Sequence, residues 1–198
     1  MAELGKLEYY LLAINVIGAL VYLINMLLYR HTARGQIDVV VTIVSLLGGS
    51  AGMLLMILLF DRKAEKKNMM SRVFIICIFV IQVIVLLIFK GHHAEHFTFA
   101  FWKFFAEHRI LLIYLGVINL VTFIVFAIDK ANARANRSKI RIVTLLGLSF
   151  AGGSVGGLIS MYLFRHKTQK DYFIVGMPLI IVTQIVVLFY VMNAGWHS

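Results

Sequence analysis

Residues 152–168 read GGSVGGLISMYLFRHKT and close an apolar run that begins at Ile142, just after the basic stretch KANARANRSKIR (130–141). About 20 helical residues span a hydrocarbon core of about 30 Å, so the run is long enough to cross a bilayer. Yet cations flank it at both ends. A segment that crosses once puts its ends on opposite faces, whereas Lys and Arg collect on the cytoplasmic one. Either the run crosses, or it dips in and returns at its glycines.

The same design occurs earlier, in SLLGGSAGMLLMILLFDRK (45–63). A shift of 104 positions sets Tyr10, Leu11, Ile14 and Asn15 on Tyr114, Leu115, Ile118 and Asn119, with no gap from about residue 9 to residue 63. In that register Gly48, Gly49, Ser50 and Gly52 fall on Gly152, Gly153, Ser154 and Gly156, and Lys63 falls on Lys167. A matched Gly-Gly-Ser-x-Gly at the offset of a matched Asn reads as a tandem duplication, a common way to build transporter folds. Repeat one spans 1–89 and repeat two 110–198. Each has a long helix (9–29 and 110–128), a basic loop, the glycine-centred run (39–60 and 142–164), a second basic loop and a last helix (73–89 and 172–192). The linker between them, KGHHAEHFTFAFWKFFAEHR (90–109), mixes aromatic residues with charges. That composition suits a short helix at the membrane surface.

Of the 198 residues 61% are hydrophobic, the mean hydropathy is +0.91, and there is one proline. Lipid must be the solvent for so much apolar surface, so the expected fold class is an all-α polytopic integral membrane protein. The net charge of +10 fits basic loops facing anionic lipid headgroups. No aromatic-basic reading module is present, and nucleic acid is not expected as a partner. The one cysteine, Cys77, lies in an apolar run and excludes an intramolecular disulfide. The start, MAELGKLEYY, lacks a basic n-region and a small-residue cleavage site and reads as the beginning of a retained helix.

If each glycine run crosses the membrane, Lys and Arg divide 11 to 8 between the faces, hardly a bias. If each returns, loops 30–34, 62–72, 130–141 and 165–170 share one face and hold 15 of the 19 cations. Lys6, Lys90, Lys103 and Arg109 remain on the other. The second division is the one the positive-inside rule predicts. Residues 142–151 and 155–164 would then form half-helices, each about 15 Å long. Both termini would lie outside, and the repeats would share one orientation. The crossing alternative stays open, because Gly48-x-x-x-Gly52, Gly152-x-x-x-Gly156 and Gly153-x-x-x-Gly157 are also small-xxx-small patterns that let unbroken helices pack closely.

Polar groups inside the runs are few. Asn15 and Asn119 sit mid-helix, and Gln82 and Gln184 lie in the last helices. Interhelical hydrogen bonding is their ordinary role, and lining a substrate path is the sharper one. Pro178, just after Gly176, shapes the start of the final helix. HHAEH (92–96) formally contains the His-x-x-Glu-His zinc pattern, but it sits between a helix and a surface segment, where that chemistry lacks its cleft. His92, His93, His96 and His108 are at most weak metal ligands. No catalytic set stands out, so an enzyme is not expected, and no cofactor is.

The second copy, with NLVTFIVFAIDKANA (119–133), then GGSVGGLISMYLFRHKT and Phe173, resembles a bacterial membrane-protein family catalogued as domain of unknown function twelve-ninety-four. The resemblance covers 113 to about 190, and 9–88 more faintly. It implies a bacterial cytoplasmic membrane location but no activity. Members of the family are mostly single-copy and place Arg-Ile-Pro-Glu before the glycine run, where this chain has Lys139, Ile140, Arg141 and Ile142. Copy one carries Asp38 opposite Ile142. Copy two keeps Asp129 and Lys130, where copy one has Asn25 and Met26, and Arg165, His166 and Lys167, where copy one has Asp61, Arg62 and Lys63.

The expectation is an ancestral symmetric dimer fused into one asymmetric chain, with Asp38, Asp129, Lys130, Arg165, His166 and Lys167 forming a composite site for an anionic headgroup or small anion. The ordinary reading of those cations is anchorage at lipid headgroups. Transport or translocation of an anionic species is the leading function. The alternative is a non-transporting accessory protein that binds a membrane-protein partner or organises lipid. Oligomeric state is left open by the sequence.

Overall fold

The computed structural model of the protein describes residues 5–31, 38–63, 65–91 and 97–194. They are helical, with no strand among the described residues, and divide into two compact units, 1–83 and 84–198. Six helical segments are long and apolar enough to cross a membrane: Lys6–His31, Asp38–Phe60, Met69–Phe89, Arg109–Arg134, Ile142–Leu163 and Asp171–Asn193.

In the first unit α1 (Lys6–His31) packs along α2 (Asp38–Val44) and α3 (Ser50–Phe60), and α4 (Met69–Phe89) follows. Tyr22, Met26 and Tyr29 of α1 meet Val41, Met53, Ile57 and Ile75 in one core cluster. The second unit has the aromatic segment with α5 (Phe101–Glu107), then α6 (Arg109–Arg134), α7 (Ile142–Leu148), α8 (Ser154–Leu163), α9 (Asp171–Ile174) and α10 (Gly176–Asn193). Phe126 meets Phe173 edge-on at 5.6 Å in its core, and Met161, Met177 and Ile180 are fully buried.

Each long glycine segment breaks at one residue. Gly48 has φ 118° and ψ −1°, and Gly152 φ 116° and ψ −6°, with helical backbone on either side. An L-residue at such a φ is strained, which is why glycine stands there. Unbroken, the 22 residues Ile142–Leu163 would hold their ends about 33 Å apart. Instead, Ile140 N–H and His166 Nε2 each lie 2.7 Å from an oxygen of the single residue Asp129. In the first unit Asp38 accepts from Ser71 Oγ at 3.2 Å, and Asp61 pairs with the adjacent Arg72 at 3.3 Å. The helical path is therefore kinked at Gly48 and at Gly152.

The other glycines let the arms approach α1 and α6. A Cβ on Gly52 would collide with the carbonyl oxygen of Asn15, and one on Gly156 with that of Asn119. The positive φ falls on Gly48 and Gly152, and the close approach on Gly52 and Gly156.

Helix limits differ modestly from the sequence expectation. The final helix, expected as one piece over 172–192, is interrupted at Val175, because Pro178 has no N–H to donate to Ile174. The surface helix is only seven residues long. Phe97 and Phe99 pack on Phe189, and Asn193 bonds both the N–H and the carbonyl of Thr98, so the segment is tied to the end of α10. Trp102 is 88% exposed. His92, His93 and His96 lie outside the described residues; His108 stacks on Phe104 at 4.4 Å.

Candidate functional site: two carboxylate nodes and two capped breaks

A broken helix frees backbone groups that hydrocarbon cannot satisfy, so protein must supply their partners. The intramembrane polar residues do this. Asn15 Oδ1 accepts from Gly52 N–H at 2.7 Å, and Asn119 Oδ1 from Gly156 N–H at 2.7 Å. Gln82 Nε2 donates to the carbonyls of Ser45 (2.6 Å) and Leu46 (3.3 Å); Gln184 Nε2 donates to those of Ser149 (2.6 Å) and Phe150 (3.2 Å). Ser50 donates Oγ–H to Gln82 Oε1, and Ser154 donates Oγ–H to Gln184 Oε1. Tyr10 and Tyr114 hydroxyls cover the carbonyls of Leu47 (2.7 Å) and Ala151 (2.6 Å). Asn15, Asn119, Gln82 and Gln184 are thereby placed as caps of the breaks. The tyrosines, near the starts of α1 and α6, entered the sequence reading only as matched positions, with no role assigned.

Each unit holds a buried carboxylate, Asp61 just past α3 in the first and Asp129 on α6 in the second. In the second unit Asp129 is 0% exposed. One oxygen accepts from Ile140 N–H; the other meets His166 Nε2 and Lys167 Nζ, each at 2.7 Å. Lys167 Nζ also stands 5.1 Å from the centre of the Phe173 ring, a favourable cation–π position. Arg165 and Lys167 adopt φ of 46° and 62°, a left-handed path uncommon for these residues. Between them the carbonyl of Met161 accepts from His166 N–H at 3.0 Å. This winding at the end of α8 turns His166 and Lys167 inward while Arg165 stays exposed. Burial pushes the Lys167 ammonium below the ordinary lysine value, and the Asp129 carboxylate pulls it partly back up.

The first unit reaches the same end with other residues. Asp61, 2% exposed, accepts from Tyr22 Oη at 2.7 Å and from Asn68 Nδ2 at 2.9 and 3.1 Å. Arg72 pairs with it at 3.3 Å and Arg30 lies 3.9 Å away. Sequence reasoning noted Asp61 only as the residue opposite Arg165 and passed over Tyr22, Asn68 and Arg72. An acid immediately after an apolar run was the available signal, but its four partners come from three other parts of the chain.

Of the six residues grouped by sequence, Asp129, His166 and Lys167 come together. Lys130 borders a groove with Ala127, Ala131, Arg134 and Phe164; Arg165 is exposed; and Asp38 belongs to the first unit, exposed and bonded to Ser71. Among the described residues no group of three or more His, Cys, Asp and Glu is arranged to hold a metal.

The family model described as "Protein of unknown function (DUF1294)" matches residues 119–173, from the capping Asn119 through Asp129, the Gly152 break and His166 to Phe173. A protein of Bacillus subtilis (strain 168) described as "Uncharacterized protein YsdA" is 34% identical over 79 residues, 40% of this chain and 89% of that protein. The chain belongs to this family. The DUF1294 match takes in Asp129, Ile140, His166 and Lys167 and the Gly152 break with its cap Asn119, while the caps Tyr114 and Gln184 lie outside it. No solved structure matches.

Proposed function

We propose that the protein is a multi-pass membrane protein, formed by tandem duplication, whose two glycine segments are re-entrant hairpins opening on one basic, cytoplasmic face. There it engages an anionic species, a lipid headgroup or small anion, and assists its translocation. The observation that carries this reading is the meeting of both ends of the second glycine segment at Asp129, while the ends of the first are held by neighbouring residues of α4, Asp38 by Ser71 and Asp61 by Arg72. With the arms returned, 15 of the 19 cations fall on one side, the side attractive to anionic headgroups. Duplication is supported by paired bonds 104 positions apart, Asn15–Gly52 with Asn119–Gly156 and Tyr10–Leu47 with Tyr114–Ala151.

One observation favours the non-transporting alternative, in which the protein organises lipid or binds a membrane partner: Asn15, Gln82, Asn119 and Gln184 are engaged in capping backbone rather than lining a path. Reconstitution tests the choice. Purified protein in vesicles containing phosphatidylglycerol is expected to accelerate lipid scrambling or anion flux, and Arg165→Ala to slow it; selective headgroup binding without flux sinks the translocation claim. Single cysteines replacing Lys139 and Lys170, on either side of one glycine segment, in a Cys77→Ser background are expected to label from the same side. Labelling from opposite sides removes the hairpins.

A further inference from the structure

The two units use matching positions in opposite ways. In the second, His166 and Lys167 turn inward and neutralise Asp129. Their counterparts 104 positions earlier are Arg62 and Lys63, and these remain exposed. The reason is local. Asp61 occupies the place of Arg165 and itself turns inward, where Tyr22, Asn68 and Arg72 satisfy it. Arg62 folds back along α3, donating Nε–H to the Leu58 carbonyl at 3.1 Å, and does not enter the node.

The consequence is a cavity of about 570 Å³ at the end of α3, with Arg30, Arg62, Lys63 and Lys67 on its walls and Tyr29 and Asp61 among its lining. Four cations meet two carboxylates there, Asp61 and the exposed Glu65, and Asp61 already has a buried arginine partner. The local balance is therefore cationic, in a recess rather than on an open surface, where guanidinium groups bind phosphate oxygens through paired charge-assisted hydrogen bonds. Leu59 and Phe60 line the same cavity and are 53% and 54% exposed. They offer apolar surface beside the cations, as a phosphate carrying a lipid tail requires.

We infer that this cavity of the first unit is a phosphate-binding site, with Arg30, Arg62, Lys63 and Lys67 as its cationic ligands, while the Asp129 node of the second unit is a closed structural latch. The inference deepens the anionic-headgroup reading above and rests on it. A lipid phosphate and a free phosphate share this chemistry, and the exposed Leu59 and Phe60 favour the lipid.

Native mass spectrometry of the full chain in detergent, titrated with phosphatidylglycerol or phosphatidylcholine, tests it. Wild-type protein is expected to retain one phosphatidylglycerol at least tenfold more tightly than phosphatidylcholine. Arg62→Gln/Lys63→Gln is expected to abolish that preference, whereas Arg137→Gln/Lys139→Gln, which removes two exposed cations of the other unit, leaves it within twofold. Equal weakening by both pairs overturns the site but keeps the general basic-face reading. No preference in the wild type overturns both. Retention of the lipid in the presence of 10-fold excess inorganic phosphate supports the site with lipid as its ligand; displacement supports it with phosphate alone. Both variants change exposed side chains, and unchanged helical circular dichroism verifies that they fold.

Discussion

Asp129 and His166 stand 2.7 Å apart and join the start of α6's last turn to the chain leaving α8, while the same carboxylate holds Ile140 at the start of the outgoing arm. One side chain thus closes the segment 140–166. The cost of losing it follows from burial: removing one partner of a buried ion pair leaves an uncompensated charge, at about 3–5 kcal/mol.

Asp129→Asn preserves shape and an acceptor for Ile140 but strands the Lys167 ammonium. It is expected to destabilise the protein by about 3 kcal/mol. Adding Lys167→Met in that background is expected to recover about half of the loss, because the stranded charge is gone. Denaturant unfolding in detergent, run as a double-mutant cycle, measures the coupling; additive effects would refute the latch.

Lys167 supplies a pH prediction. Its folded-state value lies below the ordinary lysine value of about 10.4, lowered by burial and partly restored by Asp129. Between the folded and unfolded values the unfolded chain binds more protons, so this lysine's contribution to stability rises with pH across that alkaline window. Asp129→Asn removes the restoring carboxylate, and the Lys167 titration is expected to move to still lower pH. Nζ chemical shifts followed against pH report it, and a rise would contradict the assignment.

The glycines separate by what surrounds them. Gly156→Ala drives a Cβ into the Asn119 carbonyl, which is backbone and cannot swing aside. A loss of about 2 kcal/mol is expected, within the usual range for overpacking. Gly147→Ala, with nothing within 4 Å of the new carbon, is expected to be neutral or stabilising by up to about 1 kcal/mol, from helix propensity alone. Unfolding midpoints of the two variants decide it, and equal losses would show that close approach is not what Gly156 serves.

The sequence by itself determined the solvent and the helices, and it marked the glycines without deciding whether they break a helix or let whole helices pack. Solvent and helices are local or bulk properties: hydropathy for lipid and run length for helices. What the tertiary structure decided was which polar groups meet. Asn15 caps Gly52 and Gln82 caps Ser45 across 37 positions of chain, and nothing local to either asparagine or glutamine distinguishes a cap from a substrate ligand. The same limit explains Asp61. Asp61 and Arg165 lie 104 positions apart beside similar sequence, yet one turns inward and the other stays outside, because Tyr22, Asn68 and Arg72 provide a buried carboxylate with hydrogen bonds and a counter-charge. Whether a charge can be buried depends on partners from distant segments, and only packing brings those together.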